Sequence, residues 1–271
     1  MHSQLTVLGG CGAWPEPGRA CAGFLLEHRG ARIVLDLGYG TASRLFAALG
    51  SAEADGLDAV IISHHHPDHM VDLHALLRAR WMGKPGGPKI PLFAPDGVVA
   101  RLTELQDGDR TAVSKVFDWH PIPAPAQSAG PFRLDSVLLP HYVPNAGVRL
   151  SAPGLTVAYT GDTGPSPALA DLGRDCDLFI ADATSYEQRH GRDDNVRRGS
   201  GGSSARVGAD GPAMNLNAAE AGAAAASAEA RRLLLTHFWP GNDRQASKAD
   251  AAVRFRGEIL LADEDSVIAL P

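Results

Sequence analysis

The stretch Asp58-Ala59-Val60-Ile61-Ile62-Ser63-His64-His65-His66-Pro67-Asp68-His69 decides how the rest of the chain is read. Its first half is a β-branched apolar run, so a strand is expected over Asp58 to Ser63, ending at the histidines. Side chains alternate along an extended backbone, so His64 and His66 turn toward one point while His65 faces away. The turn at Pro67 then delivers Asp68 and His69 to a second point. Neutral imidazoles and a carboxylate suit zinc or another first-row divalent ion, and this spacing implies two neighbouring metal sites.

Two metals need more ligands than one motif supplies. His141 follows Val137 to Pro140, Asp162 follows the run LTVAYTG, and His237 follows LLLT. Each stands just past an apolar run, where a sheet presents side chains at its edge. Singly, each would read as a hydrogen-bonded structural residue. Together with the histidine cluster they complete a ligand set.

The remainder of the chain reads as strands interleaved with helices. Strands are expected at Leu5 to Leu8, Gly23 to Glu27, Ala31 to Leu37, Ile90 to Phe93, Val113 to Trp119, Phe132 to Leu139, Leu155 to Thr160, Leu178 to Ala181, Leu233 to Thr236 and Glu258 to Leu261. Helical spacing marks Thr41 to Leu49, stopped by Gly50, and Met70 to Trp81, Asp96 to Leu105, Asn217 to Ala230 and Gln245 to Phe255. Asn217 and Glu220 stand at capping-box spacing. Interleaving of this kind favours sheets covered by helices, an α/β protein. The segment 189–212 is nearly devoid of apolar residues and is expected to be a mobile loop, either a solvated excursion or a lid whose arginines reach an anionic substrate.

Composition narrows the function. With 271 residues, 44% of them hydrophobic, the chain is long enough for a substantial core. Lys plus Arg total 25 against 31 Asp plus Glu, a net charge of −6, which argues against a protein that coats a nucleic-acid backbone. Three scattered cysteines indicate neither a disulfide framework nor a thiolate metal site. No signal sequence or membrane span is evident, and the chain is read as soluble and cytoplasmic.

Taken in order, the loop GGCGAWPEPGR, the turn IVLDLGYGT, SHHHPDH, LPHYVPNAGVRL, YTGDT, ADATSYE and LLLTHFWP resemble metallo-β-lactamase-fold hydrolases. Within that superfamily the chain is most similar to the ribonuclease Z-like branch and its bacterial cyclic-nucleotide phosphodiesterase relatives. The resemblance spans nearly the whole chain and implies one domain over 1–271 with the four-layer αββα sandwich. It further implies that His64, His66 and His141 hold one metal, Asp68, His69 and His237 the other, and that Asp162 bridges them. Zinc is the expected metal, with manganese or iron(II) as alternatives.

Two departures from the family pattern bear on mechanism. Asn215, in MNLNAAEAG, stands where ribonuclease Z-like proteins usually carry a proton-donating histidine, although its expected acidic neighbour Asp182 is present. The long arm that clamps transfer RNA in processing members is missing, since about 20 residues separate His141 from Asp162, room for one hairpin.

The resulting expectation is a dinuclear hydrolase of small nucleotides, cyclic ones included, in which a metal-bridging hydroxide attacks phosphorus. Asp68, Asp182 and Asn215 are its expected catalytic residues. Its expected partner is a small phosphodiester, with no extended nucleic-acid surface, no membrane, and self-association into a homodimer left open. Two rivals stay open: a carbonyl-ester hydrolase (lactonase, thioesterase or β-lactamase-like) on the same metals, and an inactive metal-binding or regulatory scaffold.

Overall fold

The computed structural model describes residues 3–184 and 213–271, so the loop expected over 189–212 lies outside the described residues. Two seven-stranded sheets face each other. The first contains β1 (Ser3–Gly9), β2 (Gly23–His28), β3 (Ala31–Leu37), β4 (Ala59–Ile61), β5 (Ile90–Ala94) and β6 (Phe117–Pro121). The second is built from β7 (Gln127–Ala129), β8 (Phe132–Leu139), β9 (Asn145–Ala152), β10 (Leu155–Tyr159), β11 (Leu178–Asp182), β12 (Arg232–Thr236) and β13 (Glu258–Leu261). After β13 the chain crosses back, and β14 (Val267–Leu270) pairs antiparallel with β1, Ser3 opposite Leu270, to close the outer edge of the first sheet.

Strand polarity explains where a site can form. From β3 to β6 the first sheet is parallel, and from β10 to β13 so is the second. Strand β8 runs the same way as β10, because each is antiparallel to β9 between them. The carboxyl ends of β3 and β4 therefore gather at one edge of the first sheet, and those of β8, β10, β11 and β12 at one edge of the second. Carboxyl edges of this kind are where α/β sheets present their functional side chains.

The helices α1 (Thr41–Leu49), α2 (Pro67–Met70), α3 (Leu73–Gly83), α4 (Asp96–Leu105) and α5 (Arg110–Val116) belong to the first half of the chain, and α6 (Ala168–Gly173), α7 (Ala218–Ser227) and α8 (Arg244–Ala252) to the second. Alternation along β2 separates the layers: Phe24 and Leu26 point between the sheets toward Phe132, Val148 and Tyr159, while Leu25 points out toward the helical side with Leu45, Leu76 and Val98. On the other outer face, Phe179 and Leu233 pack with Leu169, Ala221 and Ala251. Three apolar layers between four layers of structure are the expected αββα sandwich.

Most elements fall where the sequence puts them. Gly50 closes α1 in the left-handed region, and Asn217 and Glu220 form the capping box at the start of α7, with bonds of 2.9 and 2.8 Å. The strand expected over Val113 to Trp119 is corrected: Val113 to Val116 finish α5, and the strand starts at Phe117. Asp109 decides this, since its carboxylate caps the helix by accepting from the backbone of Thr111 and Ala112. The expected strand Asp58 to Ser63 shortens to β4, and the helix expected over Met70 to Trp81 starts at Leu73 as α3, with Met70 closing the separate α2. Strands β7, β9 and β14 were not anticipated by pattern, and β9 with β10 supplies the single hairpin expected between His141 and Asp162.

Phe24 ties the two sheets together, fully buried and edge-on to Tyr159 with ring centroids 5.6 Å apart. Phe24→Ala is expected to cost about 3–5 kcal/mol, read as a lowered urea midpoint with an unchanged slope. A loss below about 1 kcal/mol would show that the layers do not depend on this contact.

Candidate metal centre

The site begins with a kink in β3. Gly23 pairs with Leu37 and Phe24 with Leu35, so Asp36 is the extra residue of a β-bulge, and its φ of 58° lies in the left-handed region. Aspartate tolerates that conformation better than most residues, and the bulge re-aims its carboxylate into the space beyond the strand ends. Asp36 is fully buried and makes four hydrogen bonds there. Its Oδ1 accepts from the Ser63 backbone at 2.7 Å, and its Oδ2 accepts from the Ser63 hydroxyl at 2.7 Å, Tyr159 at 2.6 Å and His69 Nδ1 at 2.8 Å.

From this anchor the protonation of the histidines can be worked out. The Ser63 hydroxyl gives its hydrogen to Asp36, so it must accept from His64 Nδ1, 3.0 Å away. His141 Nδ1 lies 2.8 Å from the Met214 carbonyl, which can only accept. Both Nε2 atoms are then lone pairs in the neutral rings, and both face His66 Nδ1, at 3.0 and 3.1 Å. One nitrogen cannot satisfy two such neighbours with a single proton. Burial holds His64 well below the usual imidazole range and lowers His141; burial, with His141 beside it, takes His66 down to about 4. Three neutral imidazoles converging on one point make a cation site without having to lose protons.

The second group is charged. Asp68, His69, Asp162 and His237 bring ligand atoms within 4.8 Å of one another, as do His64, His66 and His141 in the first group. Asp162 Oδ2 lies 3.0 Å from His237 Nε2 and 3.8 Å from His141 Nε2, and its Oδ1 lies 3.2 Å from His69 Nε2. It therefore faces both groups. Burial opposes charge here, yet Asp162 and Asp68 outweigh it, raising His69 well above the ordinary range and His237 to about 10. Reciprocally, and again against burial, the imidazoles hold both carboxyls below the ordinary range. His69 Nε2 and Asp162 Oδ1, although 3.2 Å apart, are not aligned for a hydrogen bond to each other and are buried with no other hydrogen-bond partner. Orphaned donor atoms of the right chemistry at one point are what a cation would satisfy, and the residues fit a pair of divalent metals.

Loop contacts fix the remaining orientations. The Ala13 amide donates to Asp68 Oδ2 at 2.7 Å, His237 Nδ1 lies 3.0 Å from the Thr184 hydroxyl, and His237 itself has a φ of 60°. Two glycines are needed for close approach: a Cβ at Gly12 would stand 2.6 Å from His237 Nδ1, and one at Gly38 only 1.8 Å from the Asp68 carbonyl. Asn215 is buried, its amide donating to Asp162 Oδ2 at 3.2 Å and to Asp182 Oδ2 at 3.1 Å. Burial, and then the charge of Asp162, hold Asp182 well above the usual carboxylate range. His65 joins neither group; a Cβ on Gly97 would come within 2.3 Å of its ring.

The structure thus brings together all seven residues expected as ligands, with Asp182 and Asn215 beside them. Sequence reasoning assigned no role to Asp36, Ser63, Tyr159 or Ala13. A lone carboxylate within the apolar run of β3 was the available signal for Asp36.

Residues 31–238 match the family model of the β-lactamase superfamily domain. The chain is similar to the probable metallo-hydrolase YhfI of Bacillus subtilis, 27% identical over 96% of each chain, and to a ribonuclease Z of Kineococcus radiotolerans, 27% identical over 99% of this chain and 95% of that one. The crystal structure of the metallo-β-lactamase fold protein YhfI superposes with a TM-score of 0.80 at 26% identity, covering 99% of this chain and 100% of that one. A diphosphatase of the PhnP family shares the fold, with a TM-score of 0.71 at 17% identity over 100% and 98% of the two chains.

If Asp36 orients His69 from behind, Asp36→Asn is expected to weaken divalent-metal affinity by about 10–100-fold with every ligand intact. Competition with a chromogenic chelator measures it, and unchanged affinity in a folded variant would remove Asp36 from that role.

Proposed function

The chain belongs to the β-lactamase superfamily, as a metal-dependent hydrolase of the metallo-β-lactamase fold, and from that premise we propose that it is a dinuclear phosphodiesterase of small nucleotides. Similarity to a ribonuclease Z along almost the full length of both chains carries the phosphodiester reading. His64, His66 and His141 would hold one cation and Asp68, His69 and His237 the other, with Asp162 between them; the imidazole-rich donor set favours zinc. Cations held there would supply a water of lowered pKa and offset the negative charge that grows on a phosphoryl group. Because the ligands come from both sheets, residues 1–271 act as one domain in this reading.

The chain's own groups would then do the following. Asp68, fixed by the Ala13 amide, accepts a hydrogen bond from the attacking water and aligns it. His69 is kept in register by Asp36, and His237 by Thr184. Asn215 ties Asp162 to Asp182 with both hydrogens of its amide, and an amide cannot protonate a departing oxygen. That limitation favours substrates with good leaving groups, and it is the observation that keeps a carbonyl-ester hydrolase as the second reading. Small substrates are preferred here, because the connection from His141 to Asp162 is one hairpin and the net charge is −6.

The test is metal analysis together with a substrate panel of bis-p-nitrophenyl phosphate, cyclic nucleotides, lactones, thioesters and precursor transfer RNA. Two metal equivalents and turnover of the small phosphodiesters are expected, with loss of metal in Asp162→Ala. Site-specific cleavage of precursor transfer RNA would overturn the small-substrate reading. Preference for the lactones or thioesters would favour the second reading, and no turnover by the metal-loaded protein would point to a scaffold.

A further expectation concerns the leaving group. Asn215→His, by placing an imidazole beside Asp182, is expected to speed hydrolysis of alkyl-leaving phosphodiesters by about 10²-fold or more, well beyond its effect on nitrophenyl esters. Equal effects on both classes would separate residue 215 from proton donation.

A further inference from the structure

Burial in this fold is thorough, which makes its exposed aromatic side chains informative. Among the described residues three large aromatics are exposed: Trp14 at 46%, Trp119 at 38% and Tyr142 at 57%. Two of the three adjoin the metal centre in sequence. Trp14 follows Ala13, whose amide is bonded to Asp68, and its ring meets that of Trp239 at 5.8 Å, two residues beyond His237. Tyr142 follows His141, and their rings lie 5.3 Å apart at 68°. Trp14 thus belongs to the end of the site defined by Asp68 and His237, and Tyr142 to the end defined by His141, with Asp162 reaching both.

Leaving a Trp and a Tyr in water forfeits burial that either side chain would gain in the core. A ligand with a flat aromatic face recovers it. Base–aromatic stacking is worth about 1–3 kcal/mol per base and requires no matched hydrogen-bond pattern. We propose that Trp14 and Tyr142 are stacking surfaces for the base of the substrate, so that the enzyme selects phosphodiesters carrying a planar base and ranks them by stacking area, purines ahead of pyrimidines. The inference rests on the phosphodiesterase reading of the same site and narrows its substrate class.

The experiment compares adenosine cyclic phosphate with the methyl riboside cyclic phosphate of the same linkage, which has no base. In Trp14→Ala and Tyr142→Ala, the ratio of kcat/KM for the first substrate to that for the second is expected to fall about 5- to 150-fold, mainly through KM, and the Phe variants are expected to restore most of it. An unchanged ratio, including one produced by equal losses on both substrates, would overturn the proposal. Binding of adenosine monophosphate to the metal-loaded protein, followed by tryptophan fluorescence and calorimetry, separates this inference from the activity it rests on. Affinity that falls in the Ala variants supports the stacking surfaces even if no phosphodiester is turned over. Affinity that the variants leave unchanged, or no binding to the wild type, refutes them.

Discussion

Everything at the centre of this molecule hangs on the carboxylate of Asp36. It sits on the first sheet, accepts from Tyr159 of the second, pins Ser63 just past the end of β4, and holds the imidazole of His69. A buried carboxylate costs several kcal/mol to desolvate unless its lone pairs are taken up, and here four donors take them up. One group therefore sets the spacing of the sheets at their functional edge, the tautomer of His64 and the orientation of His69. The strained backbone of the bulge is retained because so many contacts fix it.

The two halves of the site differ electrically. In the trio of His64, His66 and His141 burial disfavours the charged ring, whereas Asp68 and Asp162 favour it in His69 and His237 and are themselves held low in return. A cation in the first half would displace few protons, whereas one in the second would have to expel them from rings that the carboxylates have made basic. In the proposed dinuclear state, metal uptake would therefore couple to pH mainly through the second half.

How much of this was legible in the chain depended on distance along it. His64, His66, Asp68 and His69 could be read because one strand and one turn place them, and His141, Asp162 and His237 because each ends an apolar run. Asp36, Ala13 and Tyr159 could not, since their roles depend on partners 27 to 123 residues away that only the sheet packing brings near. Val113 to Val116 are helical although valine favours strands: Val113, Val116 and Phe117 stand at i, i+3 and i+4, and the deciding cap, Asp109, lies outside that run. Strand β9 escaped notice because Gly147 and Arg149 dilute its apolar pattern, yet it is what sets β8 and β10 running the same way.

The crossing of β14 into the first sheet has a consequence for the protection of its edge. Among the described residues it is the last strand in chain order, and its partner β1 is the first. Until the two pair, the outer edge of β1 is an open ladder of amides and carbonyls, the kind of edge that invites pairing between chains. The outer edge of the first sheet is thus protected only when strands from both ends of the described chain have met.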